Sequence, residues 1–594
     1  MSKVSRREFV YMMAMLGAAP VFANSHTREP NMKRLEDYYK LESFGNVRLL
    51  HMTDSHAQLT PVHFREPSQN LGFFADYNVP PHVVGPNFVK YFGIEGDKRL
   101  IHAMTCVDYV DYARAFGRIG GYAQIKTMAD FLRDNYGRDK TLFLDGGDTW
   151  QGSWTALQTR GKDMVGAQNR LGIDAMVGHW EFTYLEKEVL ENIKEFNGEF
   201  LAQNVFVKPM AQMDGVPMYD DNTGRAFKPY TIKKLGNARV AVIGQAFPYT
   251  PIANPGRFIP DWSFGIHPRD MQDLVDGIRA KEKPDAIVVL SHNGYDVDKR
   301  LAEVTHGIDF ILGGHTHDAV PEAMPIKNKN GKITHVCNAG SNGKFLACLD
   351  LDVQRGKIVN FKYTLLPVLS DVVEEDKGMK KYIQDVRAPF KSDLERSIAT
   401  TDHLLYRRGN FNGSFDQIIC DALREVNDAQ ISFSPGFRWG TSVLPGDHVR
   451  FEDLATNTAM TYPQTYTKKH TGKDIKLILE DVADNLFNKD PFYQQGGDMI
   501  RTGGISYKII PKNSIGHRIH DMHLSDGTRI EPNKKYTVSG WATVKSQAPG
   551  KPVWDIVEEY LKNIKHIGDN LKVYTPDVIG IKGNLGWASC KNKS

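Results

Sequence analysis

The sequence predicts an α/β protein in which a layered domain of alternating strands and helices precedes a smaller α+β domain. Short apolar runs, each ended by glycine or polar residues, alternate with stretches of helical periodicity, as in layered α/β domains. The strand-like runs are residues 47–52, 141–144, 239–244, 286–290 and 308–312, and the clearest helical stretches between them are residues 122–135 and 268–280. After residue 400, helices at residues 415–426 and 472–486 mix with strands and glycine-rich turns.

The composition is that of a globular chain with more than one domain. The chain has 594 residues, of which 41% are hydrophobic and 24% charged, and its net charge is +3. This length favours two or more domains, and so small a net charge gives no argument for a nucleic-acid partner. The five cysteines form no Cys-x-x-Cys pair, so neither a cysteine-based zinc site nor a disulfide framework is evident, and the odd count leaves at least one thiol free or intermolecular.

The N-terminus carries the pattern of an export signal. A twin-arginine pattern at residues 5–10 precedes the apolar residues 11–23, which are too few to span a bilayer, since a span takes about 20 residues. We interpret residues 1–23 as a twin-arginine signal and residues 24–44 as a linker. We therefore expect a periplasmic protein with no membrane attachment after signal cleavage. The alternative is a cytoplasmic protein with a chance Arg-Arg pair.

Three further segments complete the predicted organisation. The layered domain spans residues 45–369, residues 370–400 form a charged connecting helix with few apolar anchors, and residues 401–594 form the second domain. Within the layered domain, residues 58–112 are rich in proline, asparagine, glycine and aromatic residues and lack helical periodicity. We interpret them as a long insertion that lines an opening, because loops of this length are usually functional. Residues 327–332 predict a hairpin turn.

Ligand-type side chains follow the ends of five predicted strands. Open α/β sheets collect ligands at the carboxyl ends of their strands, so we expect these side chains to converge. They are Asp54, His56, Asp148, His179, His292, His315 and His317. Together they predict a two-metal site, in which ions ~3.5–4 Å apart stabilise attacking and leaving groups and lower the pKa of a bound water toward about 7. The alternative is a set of unrelated loops. Histidine and carboxylate ligands accept zinc, manganese or iron, so they do not identify the metal.

The seven residues resemble the ligands of the calcineurin-like metallophosphoesterases and, within them, of the 5′-nucleotidase family. The resemblance covers nearly the whole mature chain and implies a four-layer αββα metallophosphoesterase domain followed by a 5′-nucleotidase-type C-terminal domain that binds substrate. It implies that Asp148 bridges the two metals. It further implies that one metal takes Asp54, His56 and His317, and the other takes His179, His292 and His315.

One motif departs from the nucleotidase pattern. Where that family has Gly-Asn-His-Glu-Phe-Asp, residues 178–183 read Gly-His-Trp-Glu-Phe-Thr. His179 replaces the asparagine ligand, and imidazole can serve in its place. Trp180 replaces the catalytic histidine, and Thr183 replaces the aspartate that supports it, so the acid dyad of the nucleotidases is missing. An inactive relative kept as a scaffold is one interpretation of this loss.

The departing motif is similar to that of the SoxB family, the thiosulfohydrolases of the periplasmic sulfur-oxidising (Sox) system. So are Asp-Ser-His-Ala-Gln at residues 54–58 and Gly-Asp-Thr-Trp-Gln-Gly at residues 147–152. This resemblance implies two Mn²⁺ ions and a SoxYZ-like carrier protein bound through its C-terminal cysteine arm. The implied reaction is hydrolysis of a cysteine S-thiosulfonate by a metal-bound hydroxide, which releases sulfate during thiosulfate oxidation. The alternatives are a periplasmic 5′-nucleotidase or related phosphoesterase, and a metal-binding partner of a redox complex without activity of its own.

The catalytic candidates are Asp148, Arg438 and Trp180, and the candidates for substrate binding are Arg438, Trp180 and Tyr493. Arg438, between two aromatic residues, suits the planar fork of a sulfonate; the alternative is a surface ion pair. A thiol leaving group, with a pKa of ~8.5, needs little protonation, so position 180 does not require a proton donor. We therefore expect Trp180 to shape an apolar slot instead; the alternative is core packing. The family resemblance puts Tyr493 in the channel wall, and ordinary packing is its alternative.

Overall fold

The computed structural model describes residues 32–591, so the predicted export signal lies outside the described residues. The strands of its first part are β1 (Val47–Met52), β2 (Thr141–Asp145), β3 (Ala175–Met176), β4 (Glu199–Phe200), β5 (Val205–Val207), β6 (Tyr230–Leu235), β7 (Ala238–Gln245), β8 (Trp262–Phe264), β9 (Ala286–Ser291), β10 (Phe310–Gly313), β11 (Met324–Lys327), β12 (Ile333–Asn338), β13 (Phe345–Gln354) and β14 (Lys357–Pro367). Among residues 32–591, no helix has both the length and the apolar character that a membrane crossing requires.

The helices include the four that the sequence periodicity predicts, at residues 122–135, 268–280, 415–426 and 472–486, each within one residue of the predicted bounds. The helices are α1 (Met32–Tyr39), α2 (Gly85–Phe92), α3 (Lys98–Met104), α4 (Tyr109–Phe116), α5 (Tyr122–Tyr136), α6 (Trp154–Thr159), α7 (Lys162–Leu171), α8 (Glu186–Glu195), α9 (Pro209–Met213), α10 (Thr250–Ala253), α11 (Pro268–Lys281), α12 (Tyr295–Val304), α13 (Lys377–Arg387), α14 (Lys391–Leu394), α15 (Ser414–Val426), α16 (Phe451–Thr458), α17 (Gly472–Phe487) and α18 (Val553–Ile564).

Two six-stranded sheets lie face to face in the first part of the chain. Their strand orders are β14-β13-β1-β2-β3-β4 and β11-β12-β10-β9-β7-β6. Because successive side chains of a strand point to opposite faces, Leu49 and Leu144 from one sheet and Val240 and Val288 from the other share one buried apolar cluster between the sheets. Helices α5 and α7 cover the outer face of the first sheet, and α11 and α12 cover that of the second. The predicted four-layer αββα arrangement is confirmed.

The insertion at residues 58–112 is not the irregular loop that its composition suggested. It contains α2, α3 and the start of α4. The apolar side chains of α2 and α3 pack with those of β13 and β14 in a separate cluster. Short helices that alternate with proline- and glycine-rich turns give no sustained periodicity, so the sequence did not indicate them. The insertion lines a cavity of about 360 Å³ together with α12 and the end of α17, as expected, but it does not line the larger cavity described below. The predicted hairpin turn joins the antiparallel strands β11 and β12.

The second part of the chain is a smaller α+β unit, as predicted. Helices α13 and α14 lead into it. Its strands are β15 (Ser397–Thr401), β16 (Ile431–Ser434), β17 (His448–Arg450), β18 (Thr465–Thr471), β19 (Arg501–Gly503), β20 (Ile505–Ile509), β21 (Ile519–Leu524), β22 (Lys535–Trp541), β23 (His566–Ile567) and β24 (Asp577–Val578). They form a four-stranded sheet, β18-β22-β16-β19, and two three-stranded sheets, β17-β15-β23 and β21-β20-β24.

The C-terminal tail returns to the insertion and is joined to it by a disulfide. Cys106 and Cys590, 484 residues apart in sequence, are bonded, with a Cα–Cα distance of 5.1 Å. Beside this bond, the backbone N–H of Val84 donates to the carbonyl of Leu585 at 3.1 Å. Nothing in the sequence indicated this disulfide, because spacing along the chain carries no information about partners this distant. The other three cysteines are reduced and buried.

Replacing Cys590 with serine is expected to lower the thermal unfolding temperature. Cross-links commonly contribute about 2–4 kcal/mol, more for longer loops, and this one closes a loop of nearly five hundred residues. Scanning calorimetry of oxidised wild type and variant measures the effect. Reduction of the wild type should reproduce the shift, whereas the variant should be insensitive to reductant. Equal unfolding temperatures would show that the tail is held by its noncovalent contacts alone.

Candidate metal centre

The seven predicted metal ligands come together in one buried site. Their ligand atoms form two groups, within each of which all of them lie no more than 4.8 Å apart. The two groups are Asp148, His179, His292 and His315, and Asp54, His56, Asp148 and His317. Asp148 is the residue common to both, and this division into two groups is the one that the family resemblance implies.

The sheet topology brings these side chains together. β1 and β2 are parallel neighbours in one sheet, β9 and β10 are parallel neighbours in the other, and the ligands follow their carboxyl ends. Backbone hydrogen bonds join the loops within the first sheet, where Asp54 N–H donates to Gly147 O and His56 N–H to Asp148 O, both at 2.8 Å. A bond from His315 N–H to the Asp54 carboxylate, at 2.9 Å, joins the two sheets.

The residues present fit a dinuclear metal centre. The Nε2 atoms of His56 and His317 face each other at 3.0 Å, as expected for two donors aimed at one cation. Both ring nitrogens of His315, Nε2 of His179 and Nδ1 of His317 are buried without a hydrogen-bond partner, and buried polar atoms normally have one. His292 Nδ1 donates to Gly146 O at 2.5 Å, which leaves Nε2 as the ligand atom, the arrangement usual in histidine metal sites.

The backbone at the site is held in an uncommon conformation. Five of the seven ligands have left-handed φ angles, between +44° and +74°, which residues other than glycine seldom adopt. These residues are Asp54, His56, Asp148, His315 and His317. Such backbone strain costs of order 1–3 kcal/mol per residue and concentrates at functional sites. The loops are therefore shaped to aim side chains rather than to minimise local energy.

The buried carboxylates and imidazoles of the site shift one another's pKa values. Burial alone would raise the pKa of the Asp148 carboxyl, but His179, His292 and His56 hold that pKa well below its usual range. Burial opposes a charge on His292, yet the carboxylates of Asp148 and Asp54 raise its pKa to about 10. Burial lowers the pKa of His56 to about 4. Two buried carboxylates thus require positive charge nearby, and divalent cations supply it.

Glu181 holds two of the metal-binding loops in place. Its buried carboxylate accepts backbone N–H donors from His179 at 2.8 Å, Asp148 at 3.2 Å, Thr149 at 2.6 Å and Trp150 at 3.2 Å. One side chain therefore satisfies four buried donors in the loops that carry a bridging and a terminal ligand. In the sequence, Glu181 was recognised only as part of the motif at residues 178–183, and no role was predicted for it.

Trp180 borders the metal site and also packs in an aromatic cluster, and its expected role in an apolar substrate slot stays a prediction. It is only 5% exposed, and its ring lies edge-on to Trp439 and Phe437, with centroids 5.0 and 5.5 Å away. Its backbone N–H donates to Asp148 Oδ1 at 2.8 Å, and its side chain lines the cavity above the metal ligands.

That cavity, with a volume of about 700 Å³, lies between the two parts of the chain. The first part contributes metal ligands and Trp180, and the second contributes aromatic and basic side chains among others. Lining residues from the second part include Phe437, Arg438, Trp439, Trp541, Lys468, His470 and Lys545. The carboxylates in this wall are Asp148 and Asp498, which are both buried.

Arg438 lies in the cavity wall, as predicted, although its ion pair is internal rather than at the surface. Its Nε donates to Asp498 Oδ1 and its Nη2 to Gly497 O, both at 3.2 Å, while its buried Nη1 has no hydrogen-bond partner among residues 32–591. Only glycine fits at the neighbouring position 496, where φ is +78° and a Cβ would lie 1.9 Å from Nε2 of His315.

The structure does not support the predicted position of Tyr493 in the channel wall. Its side chain is 63% exposed and does not line the cavity. It belongs to a 3₁₀ turn, Pro491–Tyr493, that turns outward, whereas the following Gln495 and Gly496 reach the cavity. Turn direction depends on contacts that a motif does not encode, so the correct loop was identified with the wrong residue.

Arg408 is a second arginine near the metal ligands, and no role was predicted for it from the sequence. Its Nη2 donates to the carbonyl of Thr316, between the two histidines of that loop, at 2.8 Å. It also pairs with Asp318 at 3.5 Å, and its Nη1 is buried without a partner. The signal that could have revealed it was the Arg-Arg pair at residues 407–408 in an otherwise neutral segment.

Comparisons with known proteins agree with this fold and site. The family described as "5′-nucleotidase, C-terminal domain" matches residues 397–556. Bovine 5′-nucleotidase is 25% identical over 444 residues, which cover 69% of this chain and 72% of that one. The trifunctional nucleotide phosphoesterase YfkN of Bacillus subtilis is 24% identical over 436 residues, and the match spans 29% of its length.

A solved structure extends the likeness to nearly the whole chain. The sulfate thiohydrolase SoxB of Thermus thermophilus, solved in complex with glycerol, superposes with a TM-score of 0.83 and 33% identity. The superposition covers 91% of this chain and 98% of that one, a share that includes residues from both parts of the fold. On this similarity the chain belongs to the SoxB family, within the 5′-nucleotidase superfamily of hydrolases.

Proposed function

We propose that this protein is a thiosulfohydrolase that releases sulfate from a cysteine S-thiosulfonate carried by a SoxYZ-like protein during thiosulfate oxidation. The observation that carries the proposal is the combination of a complete dinuclear ligand set with an indole, Trp180, where the nucleotidase pattern has its proton donor. The likeness to the Thermus thermophilus SoxB supports it.

The reaction suits a site without a proton donor. Water adds an oxygen to the terminal sulfur, the sulfur–sulfur bond breaks, and its electron pair leaves with the carrier cysteine as a persulfide. One proton of the water goes to the persulfide and the other to sulfate. Thiols have a pKa of ~8.5, far below that of alcohols, so this leaving group needs less protonation than the alkoxide of a phosphate ester.

Two metal ions are the proposed cofactor, with Mn²⁺ as the metal that the resemblance implies. When bound, they supply a Lewis acid and an acidified water. Asp148 belongs to both ligand groups and balances their charge. Arg438, whose Nη1 has no protein partner, binds the sulfonate oxygens. Trp180, packed against Trp439, excludes bulk water and forms the apolar side of the slot.

The shape of the cavity supports a substrate carried on a flexible arm. A volume of about 700 Å³ holds a chain end but not a folded carrier. The exposed lining residues Lys468 and Lys545 border its mouth, so an arm enters from that side while the carrier stays outside. Periplasmic location by twin-arginine export is part of the proposal. The Cys106–Cys590 bond supports it, because disulfides persist in oxidising compartments.

The decisive assay offers two substrates in parallel. Metal-loaded protein is given a cysteine peptide bearing a thiosulfonate, and separately AMP, while sulfate and phosphate are measured. We expect sulfate release with little phosphate. Phosphate release alone would reject the proposal in favour of a periplasmic 5′-nucleotidase, and tight metal binding without either product would favour a non-catalytic role.

Replacing Trp180 with histidine tests the leaving-group argument. We expect AMP hydrolysis to rise at least about tenfold, since a positioned acid commonly contributes ~10²–10⁴-fold, and sulfate release from the peptide to fall as the slot changes. Trp439→His is the matched control, because it removes an indole from the same cluster away from the proton-donor position. A Trp180→His variant with no phosphatase activity and unchanged sulfate release would remove the support for this account.

A further inference from the structure

A buried chain of alternating charges runs from the interior of the second part of the protein to the metal-site cavity. Arg407 Nε donates to Asp416 Oδ1 at 2.8 Å, and Arg501 Nε donates to Asp416 Oδ2 at 3.2 Å. Arg501 Nη2 then donates to Asp498 Oδ2 at 3.1 Å. Arg438 Nε reaches the other oxygen of Asp498 at 3.2 Å. The side chains of the first four residues are 4% exposed or less, and that of Arg438 is 14% exposed.

Each guanidinium nitrogen of the two inner arginines, Arg407 and Arg501, donates a hydrogen bond. Arg407 Nη1 donates to Asn457 O at 2.5 Å and its Nη2 to Pro435 O at 3.2 Å. Arg501 Nη1 donates to Met499 O at 3.1 Å. Within this chain of five residues, the guanidinium atom left without a partner is Nη1 of Arg438, at the cavity end.

The charges of the chain do not balance. Within these five residues, three guanidinium groups face two carboxylates, so one positive charge of the chain lacks a counter-ion. The nearby Arg408 and Asp318 pair with each other and leave this excess unchanged. Buried charge is strongly unfavourable unless it is paired and hydrogen-bonded. Because the unpartnered donor lies at the end of the chain that lines the cavity, the position for the missing negative charge is inside the cavity, beside the metal ligands.

We propose that Asp498 is a positioning residue for anion recognition, and that Arg501 and Asp416 act behind it. Together they hold the Arg438 guanidinium so that Nη1 faces a tetrahedral sulfur oxyanion, the sulfonate of the substrate or the sulfate product. The inference rests on the proposed hydrolysis for its substrate, although the anion site itself is defined by charge. Phosphate is also a tetrahedral oxyanion and serves as a second probe.

Backbone contacts fix Asp498 for this task. Its N–H donates to Gly436 O at 3.0 Å, so its loop is tied to the loop that carries Arg438. A Cβ at position 436 would lie 2.4 Å from the carbonyl oxygen of Asp498, so only glycine permits this close approach. Carboxylate and guanidinium are thus set by neighbouring loops with little freedom to move apart.

Sulfate binding to the metal-loaded protein is the first test, because it needs no turnover. Asp498→Asn keeps the size of the side chain and removes the charge that holds Arg438. We expect titration calorimetry to show sulfate and phosphate binding weakened about tenfold to hundredfold, the range for losing one charged hydrogen bond. Glu480→Gln is the matched control, since it neutralises another buried carboxylate, which accepts N–H donors from Arg518 and Ile519 and does not line the cavity.

Rescue by guanidinium separates positioning from a general structural effect. In Arg438→Ala, added guanidinium chloride is expected to restore sulfate affinity at least about fivefold relative to sodium chloride at equal ionic strength, because Asp498 retains the small cation. In Arg438→Ala/Asp498→Asn the same addition should restore nothing. Sulfate affinity within twofold of wild type in Asp498→Asn, or equal rescue in both backgrounds, would overturn the proposal.

The outcome is independent of whether the proposed reaction is correct. If the wild type released no sulfate from any thiosulfonate but bound sulfate in an Asp498-dependent way, the positioning role would stand and the proposed function would fall. If the wild type released sulfate while Asp498→Asn bound sulfate normally, the reverse would hold.

Discussion

Replacing Asp148 with asparagine is expected to lower the rate of hydrolysis by at least about a thousandfold. Asp148 contacts both sets of ligands, with His179 Nδ1 at 3.1 Å and His56 Nε2 at 3.5 Å from its carboxylate oxygens. The amide keeps the shape and the hydrogen bond from Trp180 N–H but removes the charge common to both groups. Metal ions supply several kcal/mol of transition-state stabilisation, and about 4 kcal/mol corresponds to a thousandfold in rate.

The measurement combines turnover with metal content determined by mass spectrometry. Asp296→Asn is the matched control, because Asp296 is also a largely buried carboxylate paired with a histidine, His82, at 2.9 Å, yet it lies outside the two groups of the metal centre, in a separate cluster with Asp76. The ammonium of Lys299, 3.6 Å from Asp296, already supplies the positive charge there. An Asp148→Asn enzyme that keeps two ions and more than a tenth of wild-type activity would contradict the assignment of Asp148 as the shared ligand.

Replacing Glu181 with glutamine is expected to lower both stability and metal affinity. The carboxylate accepts four backbone N–H groups, and the amide nitrogen of glutamine would oppose some of these donors instead of accepting them. A buried donor left unsatisfied costs about 1–3 kcal/mol, so we expect a loss of about 3 kcal/mol in the free energy of unfolding. Groups that support metal ligands typically change metal affinity by about 10–100-fold.

Chemical denaturation of the metal-free protein and competition with a chelator measure the two effects separately. Glu188→Gln, on α8, is the control for the same chemical change, since its carboxylate pairs with Arg160 in a partly exposed position. We expect that variant to lose less than about 1 kcal/mol, as exposed ion pairs do. Wild-type metal affinity in Glu181→Gln would mean that the loops keep their shape without this carboxylate.

The strand ends explain why much of the metal centre could be predicted from the sequence. A strand such as β2 is marked by local features, an apolar run followed by Gly146 and Gly147. A residue just beyond it lies at the carboxyl edge of the sheet. Asp54 and Asp148 are therefore brought together by topology, which follows from the alternation of strands and helices. The seven metal ligands depend on such local rules and were predicted correctly, and the family resemblance implied their division into two groups.

The groups that support the ligands depend on contacts between distant segments. Arg438 could be chosen for its chemistry, but its partner Asp498 lies 60 residues further along the chain, and nothing in the local sequence links the two. The family resemblance placed Tyr493 in the cavity wall, and the turn directs it outward. Cys106 and Cys590 are joined only because the C-terminal tail returns to the insertion.

The sequence by itself determined the α/β class, the strand ends that carry metal ligands and the loss of the proton donor at Trp180, because periodicity and motif identity are local properties of the chain. The tertiary structure decided which charges meet, where the insertion and the tail pack, and which face of each loop reaches the cavity. These outcomes depend on the burial and pairing of side chains hundreds of residues apart, and the energy of a buried charge is set by its whole surroundings.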